Sequence, residues 1–469
     1  MTVAGTVFVV FWGLFYHFAT LKSRRDNSGM TAKGYHQMFE HDQHFYLHLA
    51  RRLHDSHYTY FITRQRTPGF PAMLEWLYRD EDANEPSAGA PNPRRVTEAY
   101  FERAKKAAIY LAMGLILGVY LCCRSVLGIV PSLTVSWGFG WCVAVIRAPY
   151  VQPELLVYVL LLIGIVLLWR ILIRPTWPKA LAAGAILAGI FIVKPMVTPL
   201  IALFLACCGL KWSAQWLADW RASRRPFGDP IPWRLHLFDW ARITAVPAVF
   251  FVLLFPYLSE TKRQYGSYFW NAQAKYMIWM NGPDDKRYWQ KTRFAEPGFT
   301  PEAGHELPSA RKYLSEHKAT DFLSRPADGW QALRGLTRRL YPAAYYFAKN
   351  VLLMTVLIVG LVSRREVFAA FRTRWPEALF VLGFFGGYGL LYCWHEAIGV
   401  GPRLILGLFL PFTFFAVCFV ERFAGSVAIP KLGRELHLRN IARAALVNYL
   451  LMSLPSLLGH QMWIVEGGR

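Results

Sequence analysis

The sequence predicts a polytopic, all-α membrane protein with about 11 transmembrane helices and two long loops on one face of the membrane. Of its 469 residues, 54% are hydrophobic and only 17% are charged. The hydrophobic residues form runs long enough to cross a bilayer, and a soluble domain of this length does not cluster them in this way. The net charge of +22 lies mainly in short loops between these runs, where basic residues meet lipid headgroups. It therefore does not indicate nucleic-acid binding.

Eleven apolar segments are candidate membrane spans. They are Val3–Ala19, Ala107–Ile129, Ser132–Val145, Leu155–Leu172, Leu181–Val193, Met196–Cys208, Ile243–Leu258, Phe347–Val362, Ala378–Tyr392, Leu404–Val420 and Ala444–Leu458. Lys194 and Pro195 separate the fifth segment from the sixth, so the two form either one broken helix or a pair that turns back within the bilayer. All seven cysteines lie in or beside apolar segments, which argues against a disulfide framework or a C-x-x-C zinc site in the loops.

These segments divide the chain into three parts. Residues 1–258 are expected to form an N-terminal transmembrane module that includes a first long loop at 20–106. Residues 259–346 are the second long loop, and residues 347–469 carry the C-terminal membrane helices. Both long loops are expected to carry interfacial helices that lie along the membrane surface.

Basic residues give two conflicting indications of orientation. Lys22, Arg24 and Arg25 follow the first span and would place the first long loop in the cytoplasm. If eleven spans alternate, four basic short loops fall on the side opposite both long loops, at residues 170–179, 211–242, 364–374 and 422–439. Long loops largely escape the charge rule, so we give the short loops more weight. They predict a cytoplasmic amino terminus, an outer carboxyl terminus and two exoplasmic long loops.

The first long loop contains a carboxylate at the head of a predicted amphipathic helix. On this helix Asp42, Tyr46 and Leu49 share one face, so the carboxylate would lie at the end of an apolar stripe on the bilayer surface. A base that works at a lipid–water boundary is expected to have this arrangement. Asp42 is equally well explained as a helix cap or as an ion-pair partner of Arg51 or Arg52, and the residues alone leave these alternatives open.

Other sequence features bear on metal binding and on known catalytic motifs. His41, His44 and His48 lie on the same turns as Asp42, and solvent-facing histidines explain them better than a metal site does. The chain has no internal repeat, no P-loop, no G-x-G-x-x-G that opens a helix, no H-E-x-x-H and no G-x-S-x-G. ATP-driven and serine-hydrolase functions therefore lose their usual support.

Five longer motifs follow one another along the chain. They are Asp42-x-x-x-Tyr46-Leu47-x-Leu49-Ala50-Arg51, Arg66-Thr67-Pro68-Gly69-Phe70-Pro71, Gln152-Pro153-Glu154-Leu155-Leu156, Ala182-Ala183-Gly184-x-x-x-x-Gly189-Ile190-x-x-x-Lys194-Pro195 and Gly401-Pro402-Arg403-Leu404-Ile405-Leu406. Together they resemble the membrane-embedded glycosyltransferases of the GT-C superfamily. This superfamily includes the protein O-mannosyltransferases and the lipid A aminoarabinose transferase. Leu404 stands where that family often has tyrosine, and residues 271–279 match no acceptor signature. The resemblance therefore leaves the substrate open.

The resemblance implies a reaction and roles for individual residues. Such enzymes take a sugar from a polyprenyl-phosphate carrier on the exoplasmic face and pass it to a lipid, glycan or protein acceptor with inversion at the anomeric carbon. The module at 1–258 would then be catalytic. The implied roles are catalysis for Asp42 (base) and Glu154 (orientation) and donor phosphate binding for Lys194, Arg403, Arg64 and Arg66. Tyr46 and His395 are candidate substrate-binding residues, although a solvated turn explains His395 at least as well. No cofactor is required, although a divalent metal between the two carboxylates stays open.

Two other classes remain as alternatives. A secondary transporter would favour ionisable residues at mid-bilayer, and a non-catalytic lipid-binding protein of the same fold would keep the site without its chemistry. The expected partners are a polyprenyl-phosphate sugar, an acceptor and the membrane. The membrane is expected to be a bacterial inner membrane because no retention signal ends the chain.

The enzyme hypothesis requires Asp42 and Glu154 to lie within about 10 Å of each other and of Lys194 or Arg403.

Overall fold

The computed structural model describes residues 3–27, 42–59, 61–63, 66–83, 96–223, 233–292, 299, 301, 306–361, 364–429 and 434–459. Helices make up most of this part of the chain. They are α1 (Val3–Asn27), α2 (Asp42–Asp55), α3 (Gly69–Glu75), α4 (Glu98–Arg124), α5 (Ile129–Phe139), α6 (Val145–Arg147), α7 (Glu154–Ile173), α8 (Trp177–Val193), α9 (Thr198–Ser223), α10 (Trp233–Tyr265), α11 (Ala272–Lys275), α12 (Pro283–Lys291), α13 (Ala310–Glu316), α14 (Ala319–Leu340), α15 (Pro342–Leu361), α16 (Arg364–Thr373), α17 (Trp375–Glu396), α18 (Leu406–Phe423) and α19 (Leu438–Gly459). A π-helical turn at Gly140–Ala144 joins α5 to α6.

Ten helical segments within the described residues are long and apolar enough to cross a membrane, and α8 is a shorter apolar helix. Each of the eleven apolar segments predicted from the sequence overlaps one of these eleven. The prediction of a polytopic helical membrane protein is therefore confirmed. Both long loops also carry helices that are not spans, with α2 and α3 in the first loop and α11 to α14 in the second.

One feature between α18 and α19 was not expected from the sequence. Strands β1 (Ser426–Ile429) and β2 (Arg434–His437) pair antiparallel, with Ser426 opposite His437. Each strand has four residues, which is too short for an alternating pattern to stand out from the surrounding polar loop.

The fifth and sixth predicted spans are two separate helices. α8 ends at Val193 and α9 begins at Thr198, and the intervening Lys194 has an extended backbone with φ of −158°. Pro195 explains the end of α8, because a proline disfavours helical geometry at the residue before it. α8 packs against α7 and α10, whereas α9 packs mainly against α17.

Two glycines allow close approaches to α8. A Cβ atom at Gly184 would lie 2.7 Å from the carbonyl oxygen of Val246, so α8 and α10 cross where a side chain has no room. A Cβ atom at Gly69, the first residue of α3, would lie 2.7 Å from the carbonyl oxygen of Ile192 near the end of α8. The second contact seats the first long loop beside Lys194.

The first residues of α2 fix its position. The side-chain oxygen of Gln43 accepts a hydrogen bond from the backbone N–H of Val151 at 2.8 Å, just before α7 begins. Tyr46 packs edge-on against Phe70 of α3, with ring centroids 5.4 Å apart. The apolar side of α2, including Leu47, is buried against protein rather than laid on the bilayer surface. This packing brings Asp42, at the head of α2, to the start of α7.

Candidate functional site

Asp42 lies between two guanidinium groups. One carboxylate oxygen is 2.6 Å from Arg66 Nη2, and the other is 2.6 Å from Arg403 Nη1. Arg66 belongs to the same long loop, whereas Arg403 comes from the turn before α18, 361 residues further along the chain. The side chain of Asp42 is 22% exposed, so these pairs are partly shielded from water. A carboxylate in this position holds two cations at a fixed separation.

A second ion pair lies beside the first. Lys194 Nζ is 3.4 Å from Glu154 Oε1, and the side chain of Glu154 is only 4% exposed. The other oxygen of Glu154 accepts no hydrogen bond from any residue in the described part of the chain. Glu154 is the first residue of α7 and Lys194 directly follows α8, so the pair joins two membrane helices at one end of the bundle.

Two further cations reach the site, and the sequence reasoning missed both. Arg147 is 3% exposed at the end of α6, and its charge acts on Glu154 and Arg403. Lys286 lies on α12 in the second long loop, and its charge interacts with those of Arg403 and Asp42. In sequence terms Arg147 resembles a membrane-edge anchor, and Lys286 lies in an ordinary charged loop helix. The one available signal was that Arg147 precedes the motif containing Glu154 by a few residues.

The site carries more positive than negative charge. Within the described residues, the basic members are Arg66, Arg147, Lys194, Lys286 and Arg403, and the carboxylates are Asp42, Glu154 and Glu396. Five cations and three carboxylates give this group a net charge of +2. Gathering like charges in a partly dry site is unfavourable unless an anion joins them. The arrangement therefore suits an anionic ligand.

The electrostatic environment of Asp42 has a clear effect on its protonation. Burial by itself would raise the pKa of Asp42, but Arg66 and Arg403 outweigh it and lower that pKa from 3.8 to about 2. Asp42 is therefore ionised at neutral pH while both guanidinium groups stay in place. In this state it is an ion-pair partner and a weak base.

The turn that carries Arg403 is held by neighbouring groups. Tyr158 donates a hydrogen bond from its hydroxyl to the carbonyl oxygen of Arg403. Glu396 Oε2 accepts a hydrogen bond from the backbone N–H of Gly401 at 2.9 Å. Gly399 and Gly401 have φ angles of 66° and 78°, a left-handed conformation that glycine adopts without strain. These contacts fix the position of Arg403 independently of its side chain.

The predicted site residues fall into three groups in the structure. Five of them come together as described above, namely Asp42, Glu154, Lys194, Arg403 and Arg66. Tyr46 is buried beneath Arg66, whose guanidinium carbon lies 5.3 Å from the ring centroid. His395, near the end of α17, faces the charge of Arg325 rather than that of Asp42. Arg64 and His41 lie outside the described residues.

Among the described residues, His44 and His48 are not grouped with Asp42 as metal ligands. The rings of His44 and His48 stack on each other with centroids 6.1 Å apart. Across the described part of the chain, no group of three or more His, Cys, Asp or Glu side chains is arranged to hold a metal ion.

Comparisons with protein-family models, with curated proteins and with solved structures found no match to this chain. The structure itself defines an integral, polytopic helical membrane protein with a charged site at one end of its helix bundle.

Proposed function

We propose that the protein is an inverting glycosyltransferase of the GT-C type, which transfers a sugar from a polyprenyl-phosphate carrier to a lipid, glycan or protein acceptor. The observation that carries the proposal is the convergence of Asp42, Arg66 and Arg403 with the buried Glu154–Lys194 pair at one end of the bundle. These groups come from four parts of the chain: the first long loop, the start of α7, the end of α8 and the turn before α18. A purely structural ion pair does not need so many cations.

The cations suit the phosphate of such a donor. Guanidinium groups bind phosphate oxygens with two parallel hydrogen bonds, and Arg66 and Arg403 are already spaced by one bridging carboxylate. Lys194 adds a compact charge at the edge of the membrane. When the sugar leaves, the phosphate gains negative charge, and positive groups already in place stabilise that charge without reorganisation.

Asp42 suits the role of base only after the donor has bound. With both arginines on its carboxylate, the pKa of Asp42 of about 2 is too low for efficient proton acceptance at neutral pH. A donor phosphate competes with Asp42 for Arg66 and Arg403, and loss of these partners in a buried site raises the pKa of the carboxyl group. Binding of the donor would thereby turn an ion-pair partner into a base.

The proposed reaction then proceeds in one displacement. The acceptor oxygen or nitrogen attacks the anomeric carbon from the side opposite the phosphate, and the bond between that carbon and the phosphate oxygen breaks. Asp42 takes the proton that the acceptor loses. The polyprenyl phosphate leaves with the bonding electron pair, and the cations stabilise it. Glu154 positions Lys194 through their ion pair and takes no proton in this scheme.

A reconstituted assay tests the proposal. Purified protein in lipid nanodiscs is given synthetic polyprenyl-phosphate sugars, and formation of free polyprenyl phosphate is measured with and without an extract of candidate acceptors. Release that depends on the protein and on the acceptor supports the proposal. Profiling of lipid-linked sugars in cells with and without the gene would name the donor, since the true donor should accumulate when the gene is absent.

A non-catalytic lipid-binding protein is the second candidate, and the low pKa of Asp42 favours it. Such a protein would bind the same phosphate but leave the sugar attached. In the assay above, saturable donor binding with no release of polyprenyl phosphate, whatever the acceptor, would select this candidate.

We also propose that the site faces the exoplasmic side of a bacterial inner membrane. Ser309 caps α13 in the second long loop, and Ser223 ends α9 in a basic short loop. A cysteine at Ser309 should react with an impermeant maleimide in intact spheroplasts, whereas a cysteine at Ser223 should react only after permeabilisation. The reverse pattern would place the site in the cytoplasm and would favour a nucleotide-sugar donor.

A further inference from the structure

The second long loop supplies a lysine to the charged site. Lys286 lies on α12, and its ammonium group donates a hydrogen bond to the carbonyl oxygen of Ile398 at 3.2 Å. Ile398 belongs to the turn between α17 and α18, and Arg403 is five residues further along the same turn. The turn therefore connects this lysine to a guanidinium that already binds Asp42.

α12 is firmly packed on this turn. Ile398 is 2% exposed and belongs to a small apolar cluster with Met277, Met280 and Trp289 of the second loop. A Cβ atom at Gly399 would lie 3.9 Å from Cγ of Pro283, at the start of α12. The lysine is thus carried by a fixed element of the fold rather than by a loose surface segment.

Arg325 of α14 anchors the rest of this loop. Its guanidinium donates hydrogen bonds to the carbonyl oxygens of Ile278, Met280 and Trp394, at 3.3, 2.9 and 3.2 Å. It also lies over the ring of Trp394, 4.3 Å from the ring centroid. These contacts tie the second loop to the end of α17, which leads into the turn that carries Arg403.

Lys286 lies near other cations and donates a hydrogen bond to the neutral carbonyl of Ile398. Burial lowers the pKa of Lys286, and the nearby Arg403 lowers it further. Arg66 also acts against its charge, while Asp42 and Glu396 favour it. A lysine ammonium has three N–H donors, and the carbonyl of Ile398 uses one of them. The remaining donors can serve a ligand without breaking the contact to the turn.

We propose that Lys286 is a further phosphate-binding residue, and that the second long loop uses it to bind the same phosphate group as Arg66 and Arg403. This inference rests on the donor site proposed above. A phosphate at that position would interact with Arg66 of the first long loop and Lys286 of the second at the same time. The ligand class is a phosphate ester of a long-chain lipid, because the site lies at the end of a membrane bundle.

Direct binding separates this inference from the proposed reaction. The purified full chain in detergent is titrated with a short-chain polyprenyl phosphate, and heat release or intrinsic tryptophan fluorescence gives the dissociation constant. Parallel titrations use the corresponding neutral polyprenol and inorganic phosphate. We expect binding of the polyprenyl phosphate and much weaker binding of the other two. Equal binding of inorganic phosphate would show a site for the free anion and overturn the lipid-ester assignment.

Three variants then test the lysine itself. Lys286→Ala and Lys286→Gln should each weaken binding of the polyprenyl phosphate by about tenfold or more, which corresponds to about 1.4 kcal/mol. The glutamine keeps an N–H donor for the carbonyl of Ile398 but removes the charge. Lys312→Ala is the matched control, because Lys312 lies in the same loop and also donates to a backbone carbonyl, that of Glu306. It should bind within twofold of the wild type.

The outcomes distinguish two failures. If the wild type binds polyprenyl phosphate and Lys286→Gln binds it equally well, Lys286 has only a structural role and the inference is wrong, while the proposed function stands. If the wild type binds no polyprenyl phosphate, the proposed donor site and this inference both fall. Thermal unfolding of each variant shows whether the loss in Lys286→Ala comes from misfolding, and the glutamine variant decides the case if it does.

Discussion

The two ends of the helix bundle carry ion pairs of different kinds. At the end opposite the Asp42 site, Lys211 of α9 lies 3.1 Å from Glu377 of α17 and also donates to the carbonyl oxygen of Leu172. Glu154 and Leu172 lie near opposite ends of α7, about 27 Å apart by helical rise. Lys211 and Glu377 form one cation against one carboxylate, whereas the Asp42 site gathers an excess of cations. A balanced pair holds helices together, and an unbalanced group leaves charge for a ligand.

The largest expected effect comes from removing the base at the unbalanced end. Asp42→Asn keeps the size of the side chain but cannot accept the proton, so sugar transfer should fall by about 10²–10⁴-fold. Binding of polyprenyl phosphate should stay the same or tighten, because Arg66 and Arg403 lose a competing anion. Transfer and binding are measured on the same purified protein.

Two further variants sharpen this result. Glu154→Gln should reduce transfer less than Asp42→Asn does, since Glu154 acts through Lys194. Glu377→Gln, at the balanced end, should leave transfer unchanged. Turnover of Asp42→Asn close to that of the wild type would remove Asp42 from the mechanism.

The second prediction concerns the shape of the cation. Arg403→Ala should cost about 2–4 kcal/mol of transition-state stabilisation, and Arg403→Lys should recover only part of it because a lysine cannot form two parallel hydrogen bonds to phosphate. Lys194→Ala should give a loss of similar size. The measurement is kcat/KM for transfer from a polyprenyl-phosphate sugar. A silent Arg403→Lys together with a silent Lys194→Arg would identify both residues as ordinary membrane-edge anchors.

The third prediction concerns the balanced end. Lys211→Met removes the charge that faces Glu377, whose side chain is 10% exposed, and it should lower the free energy of unfolding by about 1–3 kcal/mol. Adding Glu377→Gln should restore most of that stability, since no buried charge then remains unpaired. Unfolding in detergent micelles measures both variants. A defect in transfer without a loss of stability would contradict a structural role for this pair.

The smallest effect is expected from an ion-pair group at the far end of α2. His54 Nδ1 is 2.9 Å from Glu75 of α3, and His54 Nε2 is 3.1 Å from Asp80. The hydrogen bond to Glu75, followed by that to Asp80, raises the pKa of His54 above 6.5. The side chain is 33% exposed, so solvent screening keeps the contribution below about 1 kcal/mol.

The direction of its pH dependence follows from linkage. The folded-state pKa of His54 is higher than the unfolded value, so its contribution is fully present below about pH 6.5 and is lost as the pH rises through the folded-state pKa. The difference in melting temperature between the wild type and His54→Gln should therefore shrink between pH 5.5 and pH 8.5. A difference that grows with pH would show that the contacts act in some other way.

The sequence by itself determined the membrane fold. Apolar runs that span a bilayer are a local property, because each helix must satisfy its own backbone hydrogen bonds in lipid, and all eleven appear as helices. The break after α8 was also readable, since Pro195 acts on its immediate neighbour. Asp42, Glu154 and Arg403 could be selected as site residues because each opens or precedes a helix within a recognisable motif. The β1–β2 hairpin could not be predicted, because four-residue strands leave little pattern.

Only the tertiary structure decided which charges share the site. Arg147 and Lys286 are ordinary basic residues by local sequence. Arg147 joins the site because its charge acts on Glu154 and Arg403, and Lys286 joins it because α12 packs on the turn that carries Arg403. His395, chosen by its position near that turn, instead faces Arg325. The pairing of Asp42 with Arg403 spans 361 residues. Coulomb energies depend on distances in space between groups that the chain brings together from distant segments, and no local pattern encodes those distances.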